Sequence, residues 1–446
     1  MKNEIVADTR LSKKSYYDKY FTENKGNLQK TWKGIKEVVN IKSKNVSHPS
    51  CIIENKKTIT EPQRIANSFN KFYTSIASDI LKKRKWEGTK KHTDYLKNQL
   101  RESFALYECD VAEIELIIGQ LNPRKAYGPN SIPTDILHLL KRDISYPLTK
   151  IFNLSLTTGT HPDLLKIAKA IPIFKMKGSK LDTSNYRPIS LLSNLNKILE
   201  KIMFNRVYKF LEKYKCIFNR QFGFRQKHST NHALIEITEN VRKALDEGKF
   251  ACGIFIDLQK AFDTVNHEIL IDKLQHYGIR GTANQWFRSY LSNRTQFVSI
   301  QGNDSDHLPI NHGVPQGSVL GPLLFLVYIN DLHVAIQNSS VYHFADDTNL
   351  LNINSSPKRM QKQVNRDLKC LYQWLLANKI SLNCSKTELI YFHKPHSPVP
   401  NLEIKLKLNG HRLFPSEAIK YIGIYLDSTL SGIHHCDQLI KKTQTS

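Results

Sequence analysis

The sequence lacks any cysteine pairing pattern. Its seven cysteines (Cys51, Cys109, Cys216, Cys252, Cys370, Cys384 and Cys436) are scattered, odd in number and include no C-x-x-C. That excludes a disulfide framework and a zinc ribbon or knuckle, and suits a reducing setting, nucleus or cytoplasm. Long hydrophobic runs are missing too. The longest, residues 319–329, contains Gly321 and Pro322 and is too short to span a bilayer, so it reads as buried core. No apolar stretch follows Met1-Lys2-Asn3-Glu4, so no signal peptide is expected. Acidic residues are scarce: 40 stand against 65 lysines and arginines, a net charge of +25. Such a field attracts polyanions, nucleic acid first among them. The excess is concentrated in residues 1–105, which carry 23 basic and 11 acidic side chains. Within them, Lys82-Lys83-Arg84-Lys85 reads as a solvated helix end.

What is present is a patterned globular chain, 40% hydrophobic. Ile65, Phe69, Phe72, Tyr73 and Ile76 recur at helical spacing after Glu61-Pro62. Asp110 with Glu113 has the form of a capping box. Residues 170–174 read as a strand, and Leu195, Ile198, Leu199 and Ile202 share a helical face. Ile254-Phe255-Ile256 is a short apolar strand. Asn266 caps a helix running through Tyr277 to Gly278. Ser356-Pro357 opens another, with Met360, Val364, Leu368, Leu371 and Leu375 as its stripe. Leu389-Ile390-Tyr391-Phe392 closes as a strand. Strand, helix, hairpin, helix, strand is the split β-α-β order of a ferredoxin-like sheet, and the class is α+β.

Three segments carry chemistry. In Tyr342-His343-Phe344-Ala345-Asp346-Asp347-Thr348-Asn349-Leu350, strand-like flanks enclose two adjacent carboxylates. An Asp-Asp pair suits a plain hairpin turn; two carboxylates this close also resist joint ionisation unless a cation neutralises them. Asp257 ends the apolar strand 254–256, either as a turn cap or as a third carboxylate for the same sheet edge. Asp257 stands 89 residues before Asp346, which leaves room for a connection back to a neighbouring strand. Three carboxylates suit Mg2+, a hard ion that keeps positions for substrate phosphate. Two such ions serve phosphoryl transfer, one at the attacking hydroxyl and one at the leaving group. In Gly313-Val314-Pro315-Gln316-Gly317-Ser318, two glycines and a proline set an irregular loop before an apolar segment.

Taken together, Asn185-Tyr186-Arg187-Pro188-Ile189-Ser190, Gln221-Phe222-Gly223-Phe224-Arg225, Asp257 with Ala261-Phe262-Asp263, the 313–318 loop, Phe344-Ala345-Asp346-Asp347 and 421–427 stand in one order. In that order and spacing they resemble the reverse transcriptases of non-LTR retrotransposons, the jockey-like group. The resemblance implies a right-hand polymerase with fingers and palm, the palm carrying the ferredoxin-like sheet. It implies Asp257, Asp346 and Asp347 as catalytic metal ligands, with two Mg2+ and Mn2+ as a substitute. Phe262 matches the bulky gate that rejects a ribose 2′-hydroxyl. Gln316 and Gly317 match the loop beside the incoming nucleotide. Arg187 and Lys175 match residues that hold the triphosphate, and Lys386 is a candidate proton donor to pyrophosphate.

The expectation is therefore an RNA-directed DNA polymerase that adds dNTPs to a DNA primer on an RNA template. Residues 1–155 are expected as a basic helical extension and connector, 156–427 as the polymerase domain and 428–446 as the start of a thumb. Against the family's full length, an endonuclease and most of the thumb are expected to be missing. The rival reading is a decayed or scaffold nucleic-acid-binding protein with the same fold.

Overall fold

The computed structural model describes residues 2–25, 28–38, 49–54, 56–82, 86, 88–395 and 405–444. Lys83, Arg84 and Lys85 of the basic run lie outside the described residues. The chain divides into two compact units, 1–49 and 50–446. The first holds helices Lys2–Glu23 and Leu28–Val38, tied by the Tyr20 hydroxyl donating to the Lys30 carbonyl at 3.1 Å.

The second unit mixes helices with two principal sheets, an α+β architecture. One sheet is antiparallel and four-stranded, in the order Glu388–Phe392, Phe250–Ile256, Asp347–Asn354, Ser340–Phe344. Its Phe250–Ile256 strand explains its own apolar run. Cys252, Ile254 and Ile256 face one core and Ala251 and Phe255 the other, so neither face meets water. Helix Thr230–Asp246 covers one side through Ala233, Ile237 and Val241. Helices Asn194–Lys213, Gly321–Ile329 and Pro357–Ala377 contribute to the core of the other. The expected stripe Met360, Val364, Leu368, Leu371, Leu375 is at most 1% exposed. The glycine- and proline-bearing run expected as core becomes the Gly321–Ile329 helix, with eight of its nine residues buried.

The second sheet joins Ile167–Phe174 antiparallel to Tyr186–Leu191 and parallel to Arg294–Ile300. Helix Pro62–Lys82 lies on it, packing Ile65, Phe69, Tyr73 and Ile76 against Tyr186, Val298 and Ile300. Its amphipathic face is thus the cover of a sheet more than a hundred residues away in sequence.

Local caps form as their residues dictate. Asp110 accepts the Glu113 amide at 2.7 Å, and Asn266 accepts that of Ile269 at 3.1 Å. The reciprocal half of the expected capping box does not form. Glu113 instead pairs with Arg206 at 2.8 Å. That guanidinium is almost wholly buried, and an unpaired buried charge costs more than an open helix end.

Two buried histidines set an acid limit on this fold. His161 bonds Asn196 at 3.0 Å, and His343 bonds Thr348 at 3.0 Å. Burial, aided by Arg294 and Lys166 for His161 and by His333 for His343, lowers both from the ordinary 6.5 to about 3. Between those values the unfolded chain binds protons that the folded chain refuses. Stability therefore falls as pH drops from 6.5 toward 3, by about 1.4 kcal/mol per pH unit for each histidine. Urea unfolding at pH 7 and pH 5 is expected to show this loss; equal midpoints would contradict it.

Candidate active site

The carboxylate edge is built by one hairpin and the strand beside it. Ser340–Phe344 and Asp347–Asn354 are joined by a two-residue turn, with Phe344 paired to Asp347. Ala345 takes a left-handed φ of 58° in that turn, unusual for a residue with a side chain. Gln221 holds it there: its Oε1 accepts the Ala345 amide at 3.0 Å and the Gly223 amide at 2.9 Å. A side chain at 223 would put Cβ 2.3 Å from the Ala345 nitrogen, so only glycine lets this segment lie against the turn. Phe222 N–H donating to the His343 carbonyl at 2.8 Å completes the brace.

Asp257 reaches the same edge from the neighbouring strand. The ladder pairs Thr348 with Ile256, so one further step sets Asp347 opposite Asp257. The Asp257 carbonyl accepts the Asn383 amide at 2.9 Å, which fixes the strand's exit. Asp346 and Asp347 both sense the charge of Asp257. Burial first, then the charge of Asp257, raises Asp346; Arg187 opposes it. Asp347 is raised to about 6 by the protein around its carboxyl, although the residue as a whole keeps an exposed flank, and then by Asp346 and Asp257. Among the described residues, no three His, Cys, Asp or Glu side chains close into one ligand shell. An open carboxylate edge is nonetheless the donor set that Mg2+ uses when phosphates and waters complete its octahedron.

A cavity of about 780 Å3 opens from this edge. Asp257, Asp346, Phe262, Gln316, Gly317, Arg187, Lys175 and Lys386 all line it, from segments as much as two hundred residues apart and more. Asp347, the ninth expected residue, is exposed and does not line the cavity. The walls carry both signs of charge. Asp257, Asp263 and Asp346 bring carboxylates; Lys175, Arg187, Lys260 and Lys386 bring four cations. Burial and the charges of Lys260, Arg187 and Lys386 lower the Lys175 ammonium's pKa, a cost that a bound anion relieves. Lys175 also donates to the Ser184 carbonyl at 2.6 Å. Lys386 Nζ stands 4.0 Å from Asp257 Oδ2 with most of its side chain in water, a weak pair.

The floor is aromatic. Phe262 stacks on Phe325, centroids 4.4 Å apart, and meets the edge of Phe224 at 6.1 Å. Phe262 is therefore held from below with one side left to the cavity. The 313–318 loop closes the far side. The Gln316 carbonyl accepts the Ser190 amide at 2.8 Å, and its Nε2 donates to Asp263 Oδ1 at 2.7 Å. Gly317 has φ 128°, and a Cβ there would stand 2.4 Å from the Ser190 carbonyl oxygen. Gly317→Ala is expected to push the loop off the Tyr186–Leu191 strand and cost about 2 kcal/mol or more. Thermal denaturation checks this; an unchanged midpoint would show that the loop adapts.

Sequence reasoning missed three contributors: Gln221, Asp263 and Phe224. Each lay in a motif already noted, but their partners Ala345, Gln316 and Phe262 are distant in sequence. Only the wall-facing carboxylate of Ala261-Phe262-Asp263 carried a signal, as a charge beside an apolar pair.

A family model described as "Reverse transcriptase (RNA-dependent DNA polymerase)" matches residues 175–426. The chain is 31% identical over 362 residues to the RNA-directed DNA polymerase from mobile element jockey of Drosophila melanogaster, covering 79% of this chain and 39% of the relative. The probable RNA-directed DNA polymerase from transposon BS of Drosophila melanogaster is 32% identical over 353 residues, 76% of this chain and 38% of its own. That from transposon X-element of the same species is 28% identical over 338 residues, 73% and 36%. The chain thus spans less than two-fifths of the length of the curated relatives it matches.

Proposed function

Since the chain belongs to the reverse transcriptase (RNA-dependent DNA polymerase) family, we propose that it is the RNA-directed DNA polymerase part of a non-LTR retrotransposon protein, adding dNTPs to a primer 3′ end. The observation that carries this reading is one cavity lined by Asp257 and Asp346, by the four cationic side chains Lys175, Arg187, Lys260 and Lys386, and by Phe262 and Phe224. An acid edge and a basic rim are what a metal-bound triphosphate requires. The sheet order, with Phe250–Ile256 and Asp347–Asn354 central, supports a ferredoxin-like palm, and the cover of the second sheet supports fingers. On this reading 156–427 is the polymerase domain, 428–446 begins the thumb, and 1–155 is a basic extension whose later part buttresses the fingers.

Asp257, Asp346 and Asp347 would hold two Mg2+, which supply neutralisation of the 3′-hydroxyl and of the departing pyrophosphate. Around them, Arg187 and Lys175 bind phosphate oxygens, Arg187 with a planar fork. Lys386, close to Asp257 and open to solvent, gives a proton to pyrophosphate. Phe262 stands under the sugar, and the Gln316-Gly317 backbone sets the nucleotide against its template base.

The test is primer extension on an RNA template with dNTPs and Mg2+. Extension supports the proposal. RNA retention without extension would support the decayed or scaffold reading instead; the retention itself is expected to weaken steeply with salt under both.

A further inference from the structure

Behind the nucleotide-facing loop lies a second, smaller cavity, about 50 Å3, which shares Gln316 and Asp263 with the first. Three residues of its wall carry buried polar atoms with no hydrogen-bond partner among the protein groups: the Tyr73 hydroxyl, Asp263 Oδ2, and Nε and Nη2 of Arg294. Arg294 is 1% exposed and Tyr73 8%. The third guanidinium nitrogen, Nη1, donates to the Tyr290 carbonyl at 3.1 Å. Tyr73, Asp263 and Arg294 share this one small cavity, so the three are neighbours.

Buried donors and acceptors left open cost about 1–3 kcal/mol each. Here two donors of a cation, one hydroxyl and one carboxylate oxygen belong to residues that line the same space. Its volume admits one or two waters, and a water needs two to four polar partners, which this wall offers. The other oxygen of Asp263 already accepts Gln316 Nε2 at 2.7 Å.

Resting on the polymerase reading of the larger cavity, we propose that Tyr73, Arg294 and Asp263 hold a structural water that fixes the Asp263 carboxylate, and through it the Gln316 side chain beside the incoming nucleotide. Arg294 donates to the water, the water donates to Asp263 Oδ2, and the Tyr73 hydroxyl completes its shell. Asp263 thereby becomes a rigid acceptor rather than a rotor, and the Gln316 amide is held in one orientation. Tyr73 is a positioning residue in this scheme. It belongs to helix Pro62–Lys82, outside the segment that the family model matches, so nucleotide selection in this chain depends on its N-terminal part.

Two experiments test this. A high-resolution crystal structure of the chain is expected to show one ordered water within hydrogen-bond distance of Tyr73, Asp263 and Arg294. A dry cavity, or the three groups collapsed into direct contact, would overturn the inference whether or not the chain polymerises. In primer extension, Tyr73→Phe is expected to raise the KM for dNTP about 5-fold with kcat nearly kept, the size of one neutral hydrogen bond. In the Gln316→Ala background it should add nothing, because both changes act through one side chain. Tyr73→Phe that lowers only the melting temperature, or that adds fully to Gln316→Ala, would reduce Tyr73 to a packing residue and overturn the coupling. A parent chain without extension would strike the polymerase reading, and with it the coupling to nucleotide, while the crystal structure would still decide the water site.

Discussion

Asp257→Asn and Asp346→Asn should each lower primer extension by about 10^3-fold or more, a loss of roughly 4 kcal/mol of transition-state stabilisation. Each change removes one negative oxygen donor from an edge that has no spare. The same changes should leave the fold intact. The surrounding protein, with repulsion from Asp257, already disfavours ionisation of Asp346 and Asp347, and Asp346 adds to the repulsion on Asp347. Neutralising Asp257 relieves that repulsion. The expected signature is an inactive chain whose melting temperature is unchanged or raised. Single-turnover extension beside thermal denaturation reads both quantities. Variants that extend within a few-fold of the parent would show that these carboxylates do not carry the reaction.

Phe262 governs the second large effect. Its ring is pinned between Phe325 and Phe224, so it cannot swing aside for a 2′-hydroxyl. Shortening it should lower discrimination against ribonucleotides by about 10^2-fold, the scale on which a shaped pocket rejects a single added hydroxyl. Phe262→Ala has a second consequence, since it strips the stack on Phe325 and costs about 3 kcal/mol. Phe262→Val keeps a branched side chain against Phe325 and is the better kinetic variant. Comparing kcat/KM for dCTP and CTP in parent and Phe262→Val decides the matter. An unchanged ratio would mean that sugar selection lies elsewhere, and the ring would then be core only.

How far the sequence could be read follows from the range of the forces involved. The Asp110 and Asn266 caps join atoms three residues apart, so a local pattern was sufficient. The Pro357–Ala377 stripe and the apolar strand before Asp257 follow from periodicity and burial, which are also local. The half of the capping box that failed did so because a distant arginine, Arg206, competed for Glu113. The ordered motifs led to the right family, and eight of the nine expected site residues line one cavity.

By itself, then, the sequence determined the α+β class, the family and most of the residues that line the one cavity, because each is written in spacing, residue type and motif order. Tertiary structure alone decided that Asp347 stays outside the cavity while Asp346 lines it, since a two-residue turn gives neighbouring carboxylates different surroundings. It also decided that Gln221 braces the turn, that Asp263 grips Gln316, and that a helix from the N-terminal part closes the wall behind them. These contacts join residues from about fifty to two hundred positions apart. Their partners are chosen only when the sheets close and a buried polar group must find whichever complement the fold has brought within reach.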